Sequence, residues 1–157
     1  MHLRKAIRLR GAPVALLGVL ALSGVAFAHG GATGIVKQRM ETMKGFGAAM
    51  KEMSIMFRGK APYDAARVRQ SAASIRGHGG DALVRLFPRG SNPHPSEARA
   101  EIWRDWDRFK GLAESLVRRA DALAKAADGG RQSARLAFRR LADDCRACHK
   151  RFRKRRR

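Results

Sequence analysis

Cys145-Arg146-Ala147-Cys148-His149 stands near the end of a chain with no other cysteine, and these residue types at this spacing attach and ligate a haem. Residues three and four apart share one face of a helix, so both thiols and the imidazole can reach one flat ligand. The thiols of Cys145 and Cys148 form thioethers with the two haem vinyl groups, and His149 offers a ring nitrogen to the iron. One covalent haem c is therefore expected. A redox dithiol is the first competing use, but it usually sits beside a βαβ pattern, and no strand-like alternation precedes this motif. A structural zinc site needs four ligands, typically from two such clusters, and the chain has one.

The elements that position the motif read as four amphipathic segments, none alternating like a strand. The first spans about 34 to 57, with Val36, Met40, Met43, Gly47, Met50, Ser54 and Phe57 stepping by four and three. Gly59 and Pro62 then stop it. Asp64 is a predicted N-cap for the second, whose stripe is Val68, Ala72, Ile75, Ala82 and Leu83. Gly77, Gly79 and Gly80 weaken its middle, each by up to about 1 kcal/mol relative to alanine. Phe87 to Pro95 is loop by composition. The third stripe, Ile102, Trp106, Phe109, Ala113, Leu116, Ala120, Leu123 and Ala127, runs without a break, with Ser96 as a cap near its start and Asp128-Gly129-Gly130 at its end. The fourth carries Ala134, Phe138, Leu141, Cys145, Cys148 and Phe152, so the cysteines fall on the core face. The expected fold is all-α, an antiparallel up-down-up-down four-helix bundle with a cofactor between facing helices.

The N-terminus reads as an export signal over residues 1–28: Arg4, Lys5, Arg8 and Arg10, an apolar run from Val14 to Phe27, then Ala26-Phe27-Ala28 as cleavage site. The run is shorter than the roughly 20 apolar residues of a membrane span, so no span is expected after cleavage. Residues 29–153 then form one domain, and 154–157 a basic tail. Taking Arg4, Lys5, Arg8 and Arg10 from the formal charge of +21 leaves +17. Lys150, Arg151, Arg153, Lys154, Arg155, Arg156 and Arg157 crowd the C-terminus as a solvated run that could also steer an acidic redox partner or meet anionic lipid. Charge alone is no nucleic-acid motif, and none is expected to bind.

Together these features resemble the cytochrome c′ family, the four-helix-bundle class of c-type cytochromes. The resemblance rests on Cys145-x-x-Cys148-His149-x-x-Phe152-Arg153, on Val36-Lys37-x-Arg39-x-x-x-Met43 and on Gly59-Lys60-Ala61-Pro62-Tyr63-Asp64. Leu86-Phe87-Pro88 and Glu101-Ile102-Trp103 extend it across the chain. It implies a bacterial periplasmic protein in which His149 is the proximal iron ligand and Arg39 and Arg153 lie close to the haem. Met43 matches the distal-face position. There most relatives carry a non-coordinating apolar side chain, and a low-spin subgroup has a methionine bound to iron. A homodimer through the first two helices is also implied.

Met43 on the iron would give a six-coordinate His/Met centre suited to one-electron transport; left free, it would line a pocket for nitric oxide or carbon monoxide. Electron carriage is the expected function and gas binding the alternative. Met40 is a lesser candidate ligand, and the remaining methionines of the first helix read as packing. Trp103, Trp106, Phe109 and Tyr63 also read as packing, and His29, His78 and His94 as solvated. No nucleophile pairs with a base anywhere, so an enzyme is not expected.

Overall fold

The computed structural model describes residues 31–155; the signal segment, His29, Arg156 and Arg157 lie outside them. Six helices follow in order: α1 Gly34–Phe57, α2 Ala65–His78, α3 Gly80–Val84, α4 Glu101–Arg104, α5 Trp106–Ala127 and α6 Gly130–Phe152. With α3 continuing α2 and α4 preceding α5, they make an antiparallel four-helix bundle. Among the described residues the only strand-like pairing is one bridge between Ala98 and Arg153, and no helix is long and apolar enough to cross a membrane.

Local chemistry explains most boundaries. The Asp64 carboxylate accepts from the Arg67 backbone N–H at 3.1 Å, occupying one of the donors that a helix start leaves free. Gly59 ends the first turn region with a φ of +75°, open to glycine at little cost. The second segment breaks at Gly79, where a Cβ would sit 2.9 Å from Val117 Cγ2. The chain crosses α5 there at a distance only glycine allows, and Gly80 follows with a φ of +53°.

Three expectations need correction. The buried face of α1 is Val36, Arg39, Met53, Met56 and Phe57, with Met43, Phe46 and Met50 half-buried between them; Met40 is 46% exposed and Gly47 is exposed. The third stripe does break, because Asp105 leaves helical geometry at φ −126°, ψ 54° and separates α4 from α5. Its carboxylate meets Arg151 at 2.5 Å, an ion pair to α6 that fits the bend. Ser96 caps no helix: its hydroxyl accepts from Arg39 and from the Ala98 N–H, at 2.9 and 3.2 Å.

The core runs down the bundle axis through Met53, Val68, Ile75, Ile102, Leu123 and Leu141, all essentially fully buried, each side chain contributing about 1.5–3 kcal/mol. Polar ties close the end remote from the motif. The Tyr63 hydroxyl donates to Ala127 O at 2.5 Å, and Arg131 donates to Phe57 O at 3.1 Å. Lys154, read as the start of a free tail, is held: its N–H donates to Glu97 O at 2.7 Å and its ammonium to Ser96 O at 3.0 Å.

Candidate functional site

The last turns of α6 place Cys145 and Cys148 one turn apart on the side facing the core, both half-buried against it. Phe152, a further turn on, is buried, and His149 is exposed at the rim. Both thiols are free. Burial, reinforced by the neighbouring Cys145, pushes the Cys148 thiol up to about 11; burial first and then Asp144 also raise Cys145. The motif occupies a helix C-terminus, whose dipole disfavours a thiolate. A redox dithiol depends on a depressed thiol pKa, so the environment runs against that use. Among the described residues no three His, Cys, Asp or Glu side chains gather to hold a metal ion. Partial burial and the Arg153 guanidinium lower the His149 pKa, with Glu97 opposing, and a neutral imidazole keeps a lone pair free.

The opposite wall is α1. Phe57 meets the Phe138 ring at 5.0 Å between centroids, which sets the antiparallel register of α1 against α6. Advancing along α6 and retreating along α1 at the same rise per residue brings Met50 level with Cys145 and Met43 level with Phe152. α5 packs closely on α6 and on α2, and α2 on α1, whereas α1 and α6 meet sparsely. Along this seam the core-facing side chains Met43, Phe46, Met50, Phe138, Cys145 and Cys148 are half-buried rather than buried. The residues present fit a haem: two apolar walls, two thiols on one wall, an imidazole one residue further, and a thioether opposite. Met40 points away from the seam.

The edge of the seam is framed by the loop from 85 to 100, and Arg39 holds it. Its Nε and Nη2 donate to Leu86 O at 3.1 and 2.8 Å, and Nη1 to Ser91 O at 3.0 Å and Ser96 Oγ at 2.9 Å. Nη2 also donates to Ser91 Oγ at 2.6 Å, and the guanidinium lies 4.0 Å from the Phe87 ring centre. All five of its donors are thus spent on the loop, and burial lowers its pKa. Arg153 sits beside His149: its backbone N–H bonds His149 O at 3.1 Å, and its guanidinium meets Glu97 at 2.5–2.6 Å. Glu97 and Ser91 had no signal in the sequence, being isolated polar residues in an irregular segment, and Ser96 had one only as a helix cap. Trp106 stacks on Phe109, which meets Phe87 and Phe152 edge-on. These rings pack, as their spacing suggests.

A family model described as Cytochrome C' matches residues 34–153. The chain is 33% identical to the cytochrome c' of Rhodopseudomonas palustris over 151 residues, covering 94% of this chain and 97% of that one. It is 32% identical to cytochrome c-556 of Agrobacterium tumefaciens over 120 residues, 76% of this chain and 97% of the other. Among solved structures, a ferrous variant of cytochrome c prime from Alcaligenes xylosoxidans with bound nitric oxide superposes with a TM-score of 0.69 at 28% identity, covering 78% and 94% of the two chains.

Proposed function

The chain belongs to the cytochrome c′ family, and we propose that within it the protein is an exported, periplasmic one-electron carrier, not an enzyme. Proteins of this family carry a covalently bound c-type haem, and the chain has the two cysteines for it. The haem supplies the reversible Fe(III)/Fe(II) couple. In this reading Cys145 and Cys148 fix its edge, His149 is the proximal ligand, and Met43 is the distal one. Arg153 positions the imidazole side, and Arg39 positions the loop at the haem edge.

The observation that carries the reading is Met43 itself. It is half-buried on the α1 side of the thin seam, opposite the motif helix, while Met40 is turned outward at 46% exposure. A thioether is a soft ligand on a flexible stem and needs little rearrangement to reach a metal in such a slot. The slot also explains the alternative. Met43, Phe46 and Met50 offer no hydrogen-bond donor, so a five-coordinate iron there would hold nitric oxide or carbon monoxide without activating oxygen, and the Alcaligenes relative is known with nitric oxide bound. The same lack of an acid-base group along the slot speaks against turnover. A homodimer through α1 and α2 and an acidic redox partner complete the proposal.

Absorbance spectra of the oxidised and reduced protein, with and without carbon monoxide, test it. The expected result is a low-spin ferric spectrum that becomes high-spin in Met43→Leu, with ferrous carbon monoxide binding tighter in the variant. A high-spin spectrum indifferent to Met43→Leu removes the ligand and leaves the gas-binding reading.

A further inference from the structure

On the side of the bundle between α3 and α4–α5 lies a cavity of about 410 Å³ lined by Val84, Phe87, Trp103 and Trp106, with Arg85 and Arg89 at its mouth. Its floor is continuous with the end of α6. Trp106 stacks on Phe109 at 5.5 Å and Phe87 meets Phe109 at 4.8 Å; Phe109 meets Phe152 at 5.5 Å. Phe152 is one turn beyond Cys148 and His149. A single ring, Phe109, therefore separates the cavity wall from the last buried residue of the motif helix.

The charge around the mouth is lopsided. Glu97 pairs with Arg153, Glu101 with Arg99, Asp105 with Arg151 and Asp107 with Lys110. Among the described residues Arg85 and Arg89 take part in no ion pair, and both are exposed. An aromatic floor ringed by unpaired guanidinium groups has the make-up of an interface centre, where tryptophan and arginine carry most of the binding energy. The basic stretch of Arg135, Arg139 and Arg140 on α6 is as positive, but it lies in the first half of α6 and is not part of this cavity.

Resting on the electron-carrier reading, we propose that this groove is the docking face for an acidic electron-transfer protein. Its surface carboxylates pair with Arg85 and Arg89, and its redox group lies over Trp103 and Trp106. In the transfer one electron leaves the reduced partner, ferric iron becomes ferrous, and no bond or proton moves.

Stopped-flow reduction of the ferric holoprotein tests this, with reduced flavodoxin as the acidic protein probe and hydroquinone as a small neutral reductant. Arg85→Glu/Arg89→Glu should slow reduction by flavodoxin about tenfold at low ionic strength, the gap closing as salt rises, with the hydroquinone rate unchanged. Arg135→Glu/Arg139→Glu makes the same change in net charge and should slow it less than threefold. Equal slowing by both pairs overturns the proposal in favour of whole-molecule attraction, and no slowing by the first pair overturns it outright. The carrier reading fails separately, on the Met43 spectra, and those do not depend on either charge pair.

Discussion

Replacing Arg39 probes how the 85–100 loop is held over the seam. The guanidinium is 5% exposed and makes five hydrogen bonds to Leu86, Ser91 and Ser96, with Phe87 against its face. Hydrogen bonds to a charged group are each worth about 1.5–3 kcal/mol net, and the ring contact adds about 0.5–2. Desolvating the cation takes back several kcal/mol, and the half-exposed Ser91 is partly rehydrated when the side chain goes. Arg39→Leu leaves the Leu86 carbonyl short of both side-chain donors, at about 1–3 kcal/mol, and leaves the buried Ser96 hydroxyl with the Ala98 N–H alone. The expected net loss is about 3 kcal/mol, or roughly 12 °C in Tm for a domain of about 120 residues. Arg39→Lys keeps the charge but not the fork of donors and should recover less than half. Guanidinium-chloride unfolding of the holoprotein gives the energy. Near-UV circular dichroism of Trp103, whose indole N–H donates to Phe87 O at 2.9 Å, gives the local effect. A loss below about 1 kcal/mol with the Trp103 signal unchanged would falsify this account, because desolvation would then cancel the clasp.

Cys148, raised to about 11 from 9.0, stays a thiol in the folded protein before haem attachment. A raised folded-state value means that its contribution to stability is complete below pH 9 and is lost as pH climbs through 11. Alkylation of apoprotein Cys148 by iodoacetamide should therefore reach half its maximal rate near pH 11, and a midpoint at or below 9 refutes the burial argument. Gly79→Ala puts a methyl group 2.9 Å from Val117 Cγ2 and should cost about 1–3 kcal/mol; Gly79→Ala combined with Val117→Ala should recover most of it, and no recovery would place the strain elsewhere.

The sequence pattern was most legible where one physical signal acted alone. Asp64 before an apolar stripe capped α2, and two adjacent glycines marked the break over α5. The motif helix followed from an uninterrupted rhythm. The errors share a cause. Val36, Arg39, Met43, Phe46, Met50, Met53 and Phe57 also step by three and four along α1, so spacing alone does not choose between this stripe and the one through Met40 and Gly47. Hydrophobic periodicity carries no information about a cation whose donors are all met by loop oxygens distant in sequence. The bend at Asp105 was invisible for a related reason: Ile102, Trp106 and Phe109 keep helical spacing across it, and its ion pair partner, Arg151, lies on another helix. Likewise nothing near Glu97 foretold Arg153. The motif itself is legible from local spacing, whereas the partners of Arg39 and Arg153, which lie far off in sequence, are not.

Those supporting contacts converge on two adjacent loop residues. Ser96 accepts from Arg39 of α1 through its hydroxyl and from Lys154 through its carbonyl, and Glu97 accepts from the Arg153 guanidinium and the Lys154 N–H. The helix bearing Met43 and the helix bearing His149 are thus tied to the same short segment at the motif end of the bundle, while direct packing between them is sparse. Separation of the two walls at that end then depends on the segment more than on α1–α6 side-chain contact. A thioether bond to iron tolerates only a narrow range of separation, whereas a gas ligand needs room. On the proposed Met43 ligation, loop geometry and axial ligation would be linked, and Arg39→Leu, which releases one side of the tie, should then weaken that ligation as well as stability.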